Sequence, residues 1–267
     1  MTAHSQAAVA SWLEFWSADT AIYANARHKE LHYAALARGI AEHAPSKIAR
    51  VLDHGCGEAL SAATLARGCG ALFLFDASPY VRSKLVALFS DTDRIFVLHD
   101  GALCGIEDAS LDLVVAASLI QYLSQAELRA LLDLWRAKLK ADGALLIADI
   151  PAPQSTAVAD ALSLLVFGLR SRFFVAALLS LARLYFSPYR RLRRDVGFSR
   201  YSAAEISALL GRHGFEARIL PKNIGHDSRR LAVVAKPSGA SKRQVQDFGD
   251  CAADGLALAV PSCKETR

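Results

Sequence analysis

VLDHGCGEAL, Val51–Leu60, joins an apolar run to two glycines through an aspartate. A strand end that passes through glycines into a helix is a common holder of polar ligands. Glycine lets a ligand approach the backbone, and the helix N-terminus offers free N–H groups. The spacing then selects among ligands. A dinucleotide-binding loop uses G-x-G-x-x-G to receive a pyrophosphate, whereas here Gly55 and Gly57 are followed by Leu60 where the third glycine would stand. Asp53 would repel a diphosphate and suits a ligand that carries a positive charge.

Outward from this loop the chain alternates short apolar runs with longer amphipathic pieces. "IARVLD", "ALFLFD", "RIFVLHD", "LDLVVAAS" and "GALLIADI" read as strands apolar on both faces, as in a mostly parallel sheet covered by helices. Helices are expected at residues 59–67, 79–89 and 124–140. The third opens on a Ser124–Glu127 capping pair, shows an apolar face at Leu128, Leu131, Leu132, Trp135 and Leu139, and is expected to stop at Asp142-Gly143. A further helix at 202–213, with Ser202 and Glu205 as its capping pair, precedes the strands "FEARIL" and "LAVVAK". On the N-terminal side, residues 7–43 read as helix up to Pro45, with Val9, Trp12, Leu13 and Trp16 at helical spacing.

The strand, acid and G-x-G of Asp53, Gly55 and Gly57 resemble the first motif of the class I S-adenosylmethionine-dependent methyltransferases; the family's usual third glycine falls on Ala59. The resemblance covers about residues 48–151 and, more loosely, 201–236. It implies an α/β, Rossmann-like fold with a mostly parallel seven-stranded sheet, helices on both faces, and an apolar helical insertion before the last helix and strands. It implies S-adenosyl-L-methionine as cofactor, with Asp53, Gly55, Cys56 and Gly57 beside its methionine end. Asp76 and Ala77, after the second strand, would meet the ribose, Asp100 and Gly101 the adenine, and Ser118, Ile120, Gln121 and Tyr122 both cofactor and acceptor. Because ligands of open parallel sheets sit outside the carboxyl ends of the strands, Asp53, Asp76 and Asp100 are expected to face one crevice.

Methyl transfer asks the protein for positioning, exclusion of water and sometimes removal of a proton. His28 and Tyr23, on a segment expected to fold over the pocket, are the candidate base and orienting residue, and Tyr122 is placed to meet the acceptor. Asp149 after the fifth strand is a secondary candidate for substrate contact. His54 is expected to fix the loop by a backbone hydrogen bond and Cys56 to fill a small buried space. His28 and His32 have the spacing of a helical metal pair, but Lys29 stands where HExxH has glutamate, and no metal site is expected.

Three parts follow: an N-terminal helical lid at 1–46, a methyltransferase domain at 47–237 with a cap insertion at about 155–200, and a flexible tail at 238–267. In the insertion, Leu162, Leu165, Val166 and Leu169, then Phe173, Phe174, Ala177, Leu178 and Leu181, offer more apolar surface than a solvated cap can expose without cost. Its cover is the protein's own core, a homodimer partner, a greasy substrate or a membrane surface; five arginines from Arg183 to Arg194 suit anionic headgroups. The basic run is too short, and too close to aliphatic surface, for a nucleic-acid groove.

A hydrophobic content of 53% excludes disorder of the whole chain, and five scattered cysteines without a CxxC pair argue against a disulfide framework and a zinc site. No signal peptide and no spanning segment are expected, which places the chain in the cytoplasm or at the inner face of a membrane. The leading expectation is methyl transfer to a small or lipid-like acceptor. The alternatives are a non-catalytic cofactor-binding module docked through the insertion to a membrane or protein partner, and a nicotinamide-dependent reductase, which Asp53 and Leu60 disfavour.

Overall fold

The computed structural model describes residues 12–17, 22–187, 192 and 197–239. Seven strands form one sheet: β1 (Arg50–His54), β2 (Ala71–Phe75), β3 (Ile95–Val97), β4 (Leu111–Ala117), β5 (Leu139–Ile150), β6 (Phe215–Ile219) and β7 (Leu231–Pro237), in the order β3-β2-β1-β4-β5-β7-β6. β1 to β5 pair in parallel, with Leu52 beside Phe73 and Val114, while β7 runs antiparallel to β5 and β6. The mostly parallel seven-stranded arrangement expected from the apolar runs is present.

Alternation along each strand divides the core into two layers. Leu52, Val114, Ala116, Leu145, Ile147 and Val233 pack on one face under α4 (Gln125–Lys138) and α7 (Ala203–Arg212). Val51, Leu72, Leu74, Leu113, Val115 and Leu146 face the other way, under α1 (Ala26–Ala41), α2 (Ala62–Ala66) and α3 (Pro79–Phe89). Both expected capping boxes form, at Ser124–Glu127 and Ser202–Glu205. Trp135, fully buried on α4, donates its indole N–H to His54 Nδ1 at 3.1 Å and so ties that helix to the end of β1. His54 thus joins the loop to α4 through its side chain.

Two further expectations change. The N-terminal helix is not continuous among the described residues: 12–16 are helical, and α1 begins afresh where Asn25 Oδ1 accepts from His28 N at 2.8 Å. Asp142-Gly143 does not stop α4. That helix ends at Lys138 because Leu139 already pairs with Leu111; the register then skips from Leu139 to Ala144, leaving Asp142-Gly143 in an irregular stretch of β5. Cys56 and Cys69 are free and buried.

The insertion is a helical hairpin of α5 (Ala157–Arg170) and α6 (Phe174–Tyr185), broken at Ser171–Phe173. The two helices approach closely at Gly168, where a Cβ would lie 3.0 Å from Ala177 Cβ. Arg27 Nε of α1 donates to Ser171 O at 2.7 Å, so the hairpin turn is fastened beside the N-terminal helix. Arg190, Arg191, Arg193 and Arg194, and the tail from residue 240 on, lie outside the described residues.

Candidate functional site

At the carboxyl end of β1 the chain turns through Gly55 (φ +77°) and Gly57 (φ +56°), left-handed conformations that glycine adopts without strain. The N–H groups of Gly55 and Cys56 donate to Phe75 O, and Gly57 N donates to Asp76 Oδ2 at 3.0 Å. Asp76 Oδ1 also accepts from Ser78 N at 2.9 Å, so one carboxylate joins the glycine loop to the cap of α3. Burial pushes the Asp76 carboxyl above its usual range, and the bonds from Ser78 and Gly57 hold that rise back.

The three strand-end carboxylates do not share one cleft. Asp76 borders a cavity of about 310 Å³, together with Gly55, Cys56, Gly57 and Ala77. Asp53 lies under the loop in a smaller adjoining recess that shares Tyr33, Leu36, Gly55, Cys56 and Ala117 with the cavity. Asp100 is turned to Arg82. That guanidinium donates to Asp76 O at 2.7 Å and Ala77 O at 2.9 Å through Nη1, and to Asp100 Oδ2 at 2.6 Å through Nη2. The Asp100 side chain is 70% exposed, and neither it nor Gly101 borders the cavity. The expectation of three aligned carboxylates is corrected by this arginine, which spends Asp100 on an ion pair.

The cavity has two kinds of wall. Trp12 packs against Tyr122 at 4.8 Å and Phe198 at 5.2 Å, and Trp16 meets Tyr122 at 5.7 Å, so with Leu13 and Leu184 they make an aromatic and aliphatic side. The polar part of the lining comprises Tyr23, His28, His32, Ser118, Gln121, Asp149, His226 and Arg230. Ser118 (φ +56°) and Asp149 (φ +62°) end β4 and β5 in left-handed conformations unusual for such residues, and the Ser118 hydroxyl donates to Asp149 Oδ2 at 2.6 Å. Asn223 bonds both the N–H and Oδ1 of Asp149, and Arg230 Nη1 reaches Gln121 Oε1 at 3.1 Å and Asp149 Oδ2 at 3.3 Å. Burial alone would raise the Asp149 carboxyl, but Arg230 and the Ser118 hydroxyl hold it below the usual range.

The histidines beside this network are neutral. Burial lowers His28 to about 3 and His32 to about 4, and lowers His226 as well. Their rings form a cluster, with His226 5.8 Å from His28 and 6.0 Å from His32. His28 Nδ1 already accepts from Ala24 N at 3.1 Å while the ring stacks on Phe173, so it is poorly placed to take a proton. Burial pushes Tyr23 up to about 12, which keeps it a phenol and a hydrogen-bond donor. By contrast, the Nδ1 atoms of His32 and His226 are shielded from solvent without a hydrogen-bond partner. Among the described residues no group of His, Cys, Asp or Glu could hold a metal ion.

Of the residues singled out from the sequence, Tyr23, His28, Gly55, Cys56, Gly57, Asp76, Ala77, Ser118, Gln121 and Tyr122 border this one cavity; Asp53, Asp100 and Gly101 do not. Sequence reasoning missed Asn223, His226 and Arg230, delivered by the 220–230 connection between β6 and β7, and the aromatic wall residue Phe198. The polar run "PKNIGHDSRR" carries no spacing that marks it as part of a site.

Residues 51–143 match a family model described as a methyltransferase domain. No curated protein matches the sequence. Among solved structures, DhpI in complex with SAH superposes with a TM-score of 0.57 at 13% identity, covering 89% of this chain and 100% of that one. The protein bound to a methyltransferase activator from Haloferax volcanii gives 0.56 at 17% identity over 85% and 97% of the two chains. Mitomycin 7-O-methyltransferase MmcR gives 0.53 at 20% identity over 78% and 54%. At such identities the likeness is one of fold.

Proposed function

We propose that this chain is a class I S-adenosylmethionine-dependent methyltransferase and that it methylates a small amphipathic, lipid-like acceptor held in the cavity. The residues present fit the cofactor. Asp53 has no hydrogen-bond partner among the described residues, and burial, reinforced by Asp76, raises its carboxyl to about 7; such a group calls for a cation beside it. At Gly57 a Cβ would stand 2.7 Å from Tyr33 Oη, so the loop is a cradle that only glycine leaves open. When bound, S-adenosylmethionine supplies an electrophilic methyl group on a sulfonium.

The protein does the rest by placement. The Gly55–Gly57 loop and Asp53 would hold the amino-acid end, and Asp76, whose two oxygens keep accepting capacity beyond their N–H bonds, the ribose hydroxyls. Asp100 and Gly101 would border the adenine side from outside the cavity. Trp12, Trp16, Tyr122, Phe198 and Leu184 would bury the acceptor's apolar body and exclude water. Its nucleophilic end would then face the polar lining that Tyr23, His28, His32 and His226 supply, with the Tyr23 phenol as a hydrogen-bond donor. In this reading residues 1–46 form the lid, 47–237 the domain with its cap at about 155–200, and 238–267 a tail. An acceptor of this kind concentrates in lipid, which puts the enzyme at the inner face of a membrane.

The observation that carries the proposal is the division of one cavity into an aromatic side and a polar side next to the glycine loop. Calorimetry with S-adenosylmethionine tests the cofactor half. Asp76→Ala should weaken binding at least tenfold, as loss of a charge-assisted acceptor does, while Asp93→Ala on the far surface leaves it unchanged. Equal affinities for both variants, or tighter binding of NADH, would refute the assignment. Incubation with labelled methyl donor and fractionated lipid extract tests the acceptor half; label confined to water-soluble polar metabolites would refute the lipid-like class.

A further inference from the structure

The α5–α6 hairpin exposes apolar surface that the cavity does not use. On α5, Val158, Leu162, Val166 and Leu169 recur at helical spacing and all face solvent; on α6 and just beyond it Phe174, Val175, Leu178, Leu179, Tyr185 and Phe186 do the same. Leu169 is 67% exposed, Val175 68% and Phe186 84%. Ten of the sixteen large apolar side chains exposed among the described residues thus lie within this one hairpin and its last turn, a concentration that marks an interaction surface. Neither helix is long and apolar enough to cross a membrane.

Charge identifies the occupant. The exposed ionic groups of the hairpin are Arg170, Arg172 and Arg183. Its one acid, Asp160, is half-buried and turned inward, 3.9 Å from Arg230 Nη2. Four more arginines follow in the sequence at 190, 191, 193 and 194. Apolar stripes bordered by cations alone match an anionic lipid surface, in which the helices lie flat with their side chains among the acyl chains and the guanidinium groups at the headgroups. A polar protein partner would instead call for charges of both signs.

We propose that α5 and α6 dock in the plane of an anionic lipid surface, and that the acceptor passes from this surface into the cavity beside Leu184. Leu184 lines the cavity, while its neighbours Tyr185 and Phe186 are exposed, so the apolar wall and the docking face belong to the same turn of chain. The base of the hairpin touches the polar wall as well: Phe173 stacks on His28 at 5.1 Å and Phe167 on His226 at 4.8 Å. Entry past Leu184 rests on the amphipathic acceptor proposed above; docking itself does not.

Flotation of the full chain with vesicles separates the outcomes. The protein should rise with vesicles of equal parts phosphatidylcholine and phosphatidylglycerol and remain below with phosphatidylcholine alone. Leu162→Asp combined with Leu178→Asp should abolish flotation, and Arg170→Gln, Arg172→Gln and Arg183→Gln should each weaken it about fivefold. Failure of the unaltered protein to float with anionic vesicles overturns docking, as does flotation that the aspartates leave intact. Docking is equally overturned if the protein sediments as a dimer that the same aspartates dissociate, since a second copy then covers the face. Calorimetry with S-adenosylmethionine on each preparation keeps the two readings apart: vesicle binding without cofactor binding sinks the site assignment alone, and the reverse sinks docking alone.

Discussion

Asp53 and Asp76 occupy equivalent places at the ends of neighbouring strands, yet their surroundings differ. Asp76 receives two N–H bonds, whereas Asp53 receives none among the described residues and sits beside the charge of Asp76. The folded, cofactor-free protein therefore holds a proton on Asp53 up to about pH 7, against an ordinary value of 3.8. Because the folded state binds that proton more tightly than the unfolded state, stability present at low pH is lost as pH rises from about 4 to about 7. Denaturant unfolding at a series of pH values should show this decline in the unaltered protein and a flatter profile in Asp53→Asn; parallel profiles would show that Asp53 does not titrate in this way. The strand-end acids were legible one by one in the sequence. Their unequal roles were not, because Arg82, which diverts Asp100, approaches from a helix six residues beyond Asp76 and its reach depends on side-chain packing.

At the level of elements, the 220–230 connection brings Asn223, His226 and Arg230 to the cavity only because α1 lets it come close. Gly39 makes that approach possible: a Cβ there would lie 2.4 Å from Ile224 Cβ. Gly39→Ala should push the connection outward and lower stability by about 1–3 kcal/mol in denaturant unfolding, the usual cost of overpacking. Adding Ile224→Gly should restore the fit at that contact, so that the double variant lies above the sum of the two single ones; strict additivity would argue against this contact. The helices themselves were readable from local signals. Ser124–Glu127 and Ser202–Glu205 announce their helices because a capping box is made within four residues. The break before Ala26 and the end of α4 at Lys138 were misplaced, because Asn25 capping and the pairing of Leu139 with Leu111 compete with helical periodicity that continues past both points.

For the whole molecule, the sheet is buried on both faces while the hairpin stands on one flank with its outer stripes in solvent. Hydrogen exchange should follow that division. Amides of β1, β4 and β5 should open only with global unfolding, whereas those of α5 and α6 should exchange orders of magnitude faster in free solution and slow on contact with anionic vesicles. Equal protection of hairpin and sheet in the free protein would mean that the hairpin is covered by something else.

The alternation of strands and helices, and a mostly parallel sheet covered on both faces, were within reach of the sequence because each depends on hydrophobic periodicity and on turn chemistry made by neighbours in the chain. The glycine loop was likewise apparent, since a turn at the carboxyl end of a parallel strand has few ways to be built. What only the tertiary structure decided was which side chains share the cavity. Asp76, His32 and Asp149 come from three separate segments and His226 and Arg230 from a fourth, and no local pattern encodes distances across a sheet. The division into an aromatic and a polar wall, and the apolar stripes left in solvent on the hairpin, arise from burial, which the chain acquires only once its layers have closed on one another.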